Sequence, residues 1–310
     1  MEFEHKSVLL EEALAALITD PDGVYVDCTL GGGGHALALS KRLSSAGWLV
    51  GIDQDPAAIE AGRTRLAGAA CKVSIMYSNF RQLAAVLEEL KIPAVNGVLF
   101  DLGVSSHQLD VAERGFSYMQ DGPLDMRMNP AGDLSAHMVV NGYSEEKLSD
   151  IIHRYGEERW AKRIAKFIVQ ARAVRPIGTT GELMDIIKKA IPAAARREGP
   201  HPAKRTFQAI RIEVNEELTI LQAAFTAAVD ALKPGGRICI ITFHSLEDRI
   251  AKQTLQELAR GCVCPRDFPI CVCKHEPSVK IIGKPFTPSP AELEGNPRSR
   301  SARLRVAEKV

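Results

Sequence analysis

Four short apolar runs punctuate the first hundred residues: Val24–Cys28, Trp48–Asp53, Val73–Met76 and Gly97–Asp101. Helix-like stretches separate them, Ala36–Leu43 and Ala57–Leu66 among them. Short apolar runs read as buried strands, and strands alternating with helices predict βαβ units in a parallel, doubly wound sheet. The rhythm breaks after about residue 108. From there to about 216 the pattern is helical, with no convincing strand. Trp160, Ala161, Ile164, Ala165, Ile168 and Ala171 share one helical face, and Arg159, Lys162, Arg163 and Lys166 crowd the rest. Lys233-Pro234-Gly235-Gly236 then makes a turn, and Arg237–Phe243 resumes a buried strand. The economical reading is one α/β domain, residues 1–108 and 217–310, interrupted by a helical insertion, 109–216.

Composition excludes several classes. A chain of 310 residues with 45% hydrophobic and 25% charged side chains is neither disordered nor fibrous. No apolar run approaches the ~20 residues of a membrane span. The charged start, Met1–Lys6, lacks a secretory h-region. Seven cysteines beside it predict a reducing, cytoplasmic setting, in which clustered thiols suggest metal or redox chemistry. The net charge of +1 does not mark a nucleic-acid binder. Its distribution is more telling: residues 153–211 hold 14 Lys/Arg against 5 Asp/Glu, and residues 296–310 hold 5 against 1. Such asymmetry fits a phosphate-facing surface, and equally a solvated helix face.

Thr29-Leu30-Gly31-Gly32-Gly33-Gly34-His35 follows the first strand and opens a helix. Glycines let backbone approach a ligand and adopt positive φ, and a helix N-terminus offers free N–H groups. Gly31, Gly33 and Ala36 satisfy the Gly-x-Gly-x-x-Gly/Ala dinucleotide pattern. Asp53 ends the second strand, where an acid can hold ribose hydroxyls, whether of NAD or of S-adenosylmethionine. Asp55, before Pro56, reads as a helix cap. Asp101 ends the fourth strand, at the edge where open α/β sheets bind ligands; an isolated Asp there is also often a cap. Asp27 ahead of the loop and the Pro-Gly-Gly turn tilt the pattern toward S-adenosylmethionine. Cys262-x-Cys264 and Cys271-x-Cys273, with His275 nearby, suggest a thiolate zinc site, reversible disulfides or plain thiols.

The longer blocks are more specific. They are Asp101-Leu102-Gly103-Val104-Ser105-Ser106-His107-Gln108-Leu109-Asp110, Glu113-Arg114-Gly115-Phe116-Ser117, Asp121–Met128, Tyr155–Arg159, Arg205–Arg211, Phe243–Arg249 and Asn296–Ser301. In this order, from about His5 to Glu308, the chain resembles the bacterial 16S rRNA (cytosine-N4)-methyltransferase family, RsmH or MraW. The resemblance implies a class I methyltransferase, Rossmann-like, with an inserted helical domain. It implies S-adenosyl-L-methionine as cofactor. The acceptor would be the exocyclic N4 of cytidine 1402 of 16S rRNA, within the 30S subunit or a late assembly intermediate. Position by position, it implies Gly33, Gly34, His35, Asp53, Phe80, Asp101 and Gln108 as cofactor-binding residues. A homodimer is compatible with the sequence. Members without the cysteine cluster imply that catalysis does not need it.

The cytosine amine is a weak nucleophile, because its lone pair is delocalised into the ring. A site must align N4 with the S–CH₃ axis and favour a pyramidal nitrogen. Positioning of this kind supplies about 7–11 kcal/mol in favourable cases. Amino-methyltransferases commonly use Asp/Asn/Ser-Pro-Pro-aromatic, whereas Leu102-Gly103-Val104 follows Asp101 here. The candidates for the amine acceptor are therefore Asp101, Ser105 and Asp125, with His244 as a base contact or proton acceptor. Their plainer roles are cofactor ligand, turn former, cap and buried histidine. Phe116, Tyr118 and Phe243 are stacking surfaces for an extruded base or ordinary core. Arg127, Arg205, Arg211, Arg249, Arg298 and Arg300 are candidate phosphate contacts. The competing readings are a nicotinamide oxidoreductase, a DNA amino-methyltransferase and a non-catalytic RNA-binding protein.

Overall fold

The computed structural model describes residues 7–196, 201–262, 264, 268, 270, 272, 273 and 275–310. Its contacts divide into two compact units, residues 1–103 with 218–310, and residues 104–217. In chain order the first runs α1 (Leu10–Leu17), β1 (Val24–Asp27), α2 (Gly34–Ser40), β2 (Trp48–Asp53), α3 (Pro56–Leu66), β3 (Lys72–Tyr77), α4 (Leu83–Glu89) and β4 (Val95–Asp101). The second holds α5 (Ser106–Asp110), α6 (Ala136–Gly142), α7 (Glu145–Gly156), α8 (Ala161–Arg172), α9 (Thr180–Ala190) and α10 (Lys204–Asn215). The first then resumes with α11 (Leu221–Ala231), β5 (Leu232–Thr242), α12 (Ser245–Leu258), β6 (Val279–Ile281), α13 (Pro290–Gly295) and β7 (Arg303–Lys309).

The strands form one sheet in the order β3-β2-β1-β4-β5-β7-β6. The first five neighbours pair in parallel, and β7 runs antiparallel to both β5 and β6. Side chains alternate across a strand, so each strand feeds two cores. Val26, Val50, Ile52, Val98, Phe100 and Ile240 pack with Leu83 and Val86 of α4, Phe225 of α11 and Leu255 of α12. Tyr25, Leu49, Leu99, Cys239 and Ile241 point the other way, to Leu14 of α1 and Leu39 of α2. Strands covered on both faces explain the near-continuous apolar runs in the sequence. The two halves diverge at β1 and β4, so the crevice at their carboxyl ends is the topological switch point.

The Pro-Gly-Gly turn lies inside β5 rather than before it. Leu232 pairs with Val95, and the register then jumps to Arg237 opposite Gly97. The intervening residues loop out, with Gly235 at φ +77°. The short strands β6 and β7 carry no distinctive apolar run, and sequence reading gave them no positions.

The helical unit has its own core: Leu148 and Ile152 of α7, Ile164 and Ile168 of α8, Leu183 and Ile187 of α9, Phe207 and Ile210 of α10. Side-chain caps start some of its helices, though not α8 or α10: Ser144 accepts from the Lys147 N–H for α7, and Thr179 and Glu182 form a reciprocal box for α9. Among the described residues its β structure is an isolated bridge between Pro123 and Thr179. Sequence reading set the first join at 108/109, whereas the contacts set it at 103/104. Val104 and Leu109 pack against the helical core, which draws residues 104–108 into this unit. No helix among the described residues is long and apolar enough to cross a membrane.

Candidate active site

The glycine loop is stitched to the strands beside it. Leu30 N–H donates to the Ile52 carbonyl (3.0 Å) and Gly31 N–H to Asp53 Oδ2 (2.7 Å). Thr29 Oγ1 accepts from the Asp101 N–H at 2.6 Å. Gly33 caps α2 at φ +74°, a conformation that side chains rarely adopt. Leu30 is buried beneath the loop, and a Cβ on Gly62 of α3 would lie 2.5 Å from its Cδ2. That close approach holds loop, β2 and α3 together.

Three carboxylates therefore collect at adjacent strand ends: Asp27 of β1, Asp53 of β2 and Asp101 of β4. Asp27 is fully buried, and burial pushes its pKa up to about 6 against the charge of His35. Burial also raises Asp53, opposed by N–H bonds from Asp55 and Gly31. Asp55 itself caps α3 through the Ala57 N–H (3.1 Å), so the strand-end acid Asp53 and the cap are different residues. His35 opens α2 and is 5% exposed. Its Nε2 lies 3.0 Å from the Val8 carbonyl and its Nδ1 lies 3.4 Å from Asp101 Oδ2. Both ring nitrogens face acceptors, which only the imidazolium satisfies. Burial pulls the His35 pKa down, but Asp101, Asp27 and the Val8 carbonyl more than offset it, and the net shift is upward. The other Asp101 oxygen, Oδ1, is buried without a hydrogen-bond partner among the described residues. A buried acceptor left unpaired costs about 1–3 kcal/mol or more, so it fits a donor arriving with a ligand. Three acids around a glycine loop likewise fit a cationic, nucleoside-bearing cofactor. Val8 and Thr29 escaped sequence reading: one gives only a carbonyl, which every residue has, and the other an ordinary hydroxyl.

The remaining candidates take local roles. Phe80 begins a 3₁₀ turn after β3 and meets Phe100 edge-to-face, with centroids 5.6 Å apart. His244 follows β5 and caps α12, its Nδ1 accepting from the Glu247 N–H (3.4 Å). His244 Nε2 lies 3.1 Å from Glu247 Oε1, though outside hydrogen-bonding geometry. Glu247 Oε2 in turn accepts from the Phe243 N–H (2.8 Å), which fixes the end of β5. In the helical unit Ser105 and Gln108 form the capping box of α5. Asp125 holds Arg127 through Nε (3.1 Å) and Nη2 (2.6 Å), and Arg127 Nη1 reaches the Gly132 carbonyl (2.9 Å). Arg211 holds Glu217 through two 2.8 Å bonds. Arg205 is exposed, with Nη1 on the Glu157 carbonyl at 3.2 Å. In the sheet unit Arg249, Arg298 and Arg300 are exposed. Phe116 is core, while Tyr118 stacks on His201 with centroids 4.6 Å apart. Cys271 lies outside the described residues.

A sequence model of the MraW methylase family matches residues 2–310. The Ribosomal RNA small subunit methyltransferase H of Clostridioides difficile (strain 630) is 58% identical over 311 residues, covering all of both chains. The protein of that name from Heliobacterium modesticaldum is 55% identical over 312 residues, again covering both chains completely. A solved rRNA methylase from Streptococcus thermophilus is similar at 10% identity and a TM-score of 0.43, over 97% of this chain and 93% of that one.

Proposed function

We propose that this chain, which belongs to the MraW methylase family, methylates the exocyclic N4 of cytidine 1402 in 16S rRNA. It is a small-subunit rRNA methyltransferase that uses S-adenosylmethionine. When bound, that cofactor supplies a methyl group already activated on a sulfonium. Gly33, Gly34 and His35 of the loop, Asp53, Phe80 and Asp101 are the residues of the sheet unit that would hold it.

The observation that carries the chemistry is Asp101 Oδ1, a buried carboxylate oxygen without a donor. Positive charge develops on N4 as the amine takes the methyl group. Asp101 accepts an amine N–H at Oδ1, favours the pyramidal nitrogen and stabilises that charge in place. His35 holds the other oxygen and fixes the rotamer. The surplus N4 proton leaves after transfer, so no strong base is needed. Asp53, anchored by Gly31 and Asp55, serves binding rather than transfer. The target cytidine and its phosphates are the business of exposed arginines, Arg205, Arg249, Arg298 and Arg300.

The test is transfer of labelled methyl to 30S subunits that lack the modification, followed by nucleoside analysis. N4-methylcytidine is the expected product; label in another nucleoside would overturn the assignment. Asp101→Asn should lower kcat far more than adenosylhomocysteine affinity, whereas Asp53→Ala should lose affinity first.

A further inference from the structure

Between α12 and β6 the chain makes an excursion, residues 259–277. Its ends are tied where Ser278 N–H donates to the Leu258 carbonyl at 2.7 Å. The excursion carries no helix or strand among the described residues. Irregular loops beyond about 12–15 residues are uncommon in compact domains without some special reason. Among the described residues apolar packing does not supply one: Phe268, Ile270 and Val272 are 50%, 75% and 66% exposed. Cysteines supply another. Cys28, Cys71 and Cys239 are buried in the sheet unit, but Cys262, Cys264 and Cys273 sit together in the excursion.

The Sγ atoms of these three all lie within 4.8 Å of one another. Those of Cys262 and Cys273 are 3.7 Å apart. A disulfide needs about 2.05 Å, so the pair is not bonded. Thiolates at about 2.3 Å from a tetrahedral zinc ion stand about 3.8 Å from each other, which this spacing matches. Backbone donors already point at the sulfurs: Val272 N–H lies 3.4 Å from Cys264 Sγ and His275 N–H lies 3.5 Å from Cys273 Sγ. Such outer bonds orient thiolate ligands and spread their charge. His275 Nδ1 is engaged with the Gly261 carbonyl at 2.9 Å, which folds the far side of the loop back onto its start.

We propose that Cys262, Cys264 and Cys273 bind a structural Zn²⁺ ion that closes this excursion. Each thiol gives up its proton as it becomes a ligand, and the ion ties the excursion together. The sequence offers a fourth thiol, Cys271, two positions before Cys273 as Cys262 is two before Cys264. The site is independent of methyl transfer and does not rest on the proposed substrate.

The full chain, purified under reducing conditions, should carry about one zinc ion. After metal removal, Co²⁺ should give thiolate-to-cobalt charge transfer and the intense visible bands of a tetrahedral site. These should saturate at about one equivalent and vanish on adding Zn²⁺. Cys262→Ser and Cys273→Ser should each weaken Co²⁺ binding at least tenfold while leaving adenosylhomocysteine affinity unchanged. Zinc should also slow proteolytic cleavage within residues 259–277. A reduced wild-type chain that gives no such bands overturns the proposal without recourse to any variant. So does a freshly isolated chain in which these thiols are oxidised in pairs.

Discussion

His35 Nδ1 lies 3.4 Å from Asp101 Oδ2, while the opposite ring nitrogen lies 3.0 Å from the Val8 carbonyl. One imidazole thus joins the segment before α1, the start of α2 and the end of β4. Burial works against charge on this ring, but Asp101, Asp27 and the Val8 carbonyl outweigh it and hold its pKa above the usual value.

Replacing it should therefore reach the site as well as the fold. His35→Gln keeps a donor for one acceptor only. Adenosylhomocysteine affinity, measured by calorimetry, should fall about tenfold, the worth of one charge-assisted hydrogen bond. Unchanged affinity would remove His35 from the cofactor site.

The pH dependence follows from raised pKa values, those of Asp27 and His35, with Asp53 raised in the same sense. Asp27 binds its proton more tightly in the native state than in the unfolded chain. Its contribution to stability is therefore largest below pH 3.8 and is lost as pH rises to about 6. His35, also raised, contributes stability below its usual 6.5 that is lost as pH rises through its higher native value. Denaturant unfolding should thus show stability falling from pH 5 to pH 8. Asp27→Asn should flatten the lower part by roughly 1–2 kcal/mol, and His35→Gln the upper part. A variant curve parallel to the wild type would show that the group is not perturbed.

Gly33→Ala tests the loop. Its φ of +74° strains any side chain, while the built Cβ meets Arg65 Cδ at an ordinary 3.5 Å. The expected loss is about 1–2 kcal/mol of stability, read from urea midpoints, with weaker cofactor binding.

Two kinds of arginine should separate cleanly. Arg211 and Glu217 are 16% and 9% exposed and doubly bonded. Arg211→Ala strands a carboxylate and should destabilise the protein by about 3 kcal/mol. Arg298→Ala and Arg300→Ala, at exposed positions, should change stability by less than about 0.5 kcal/mol. Each should lower rRNA affinity and reduce its salt slope by about one. Equal loss of affinity for adenosylhomocysteine would contradict that division.

The sheet was legible wherever a strand is covered on both faces. Val24–Cys28, Trp48–Asp53 and Gly97–Asp101 end within two residues of β1, β2 and β4 because burial on two sides leaves no polar interruption. Arg303–Lys309 was not legible: Arg303 and Arg305 reach Asp248, Lys309 is half-buried, and the strand reads as charged. At the site the sequence marked Asp53, Asp101 and the glycines, whose types carry their chemistry. It did not show that Arg127 and Arg211 are held by Asp125 and Glu217, since partners two and six residues away give no distinctive pattern. Nor did it separate the capping of Ser105 and His244 from the catalytic roles expected of them, because a hydroxyl oxygen or ring nitrogen suits either use.

The insertion also sets a clock. Asp101 of β4 pairs with Ile241 of β5, its neighbour in the sheet. At about 5–20 residues per second, a ribosome takes roughly 7–28 s to travel from one to the other. For that interval the nascent chain holds an unpaired edge built from Val98, Leu99 and Phe100, the kind of edge that recruits foreign strands. Residues 104–217, with a core of their own, emerge entirely within the wait. How fast they condense, and how promptly chaperones cover that edge, governs the yield of native enzyme from each round of translation.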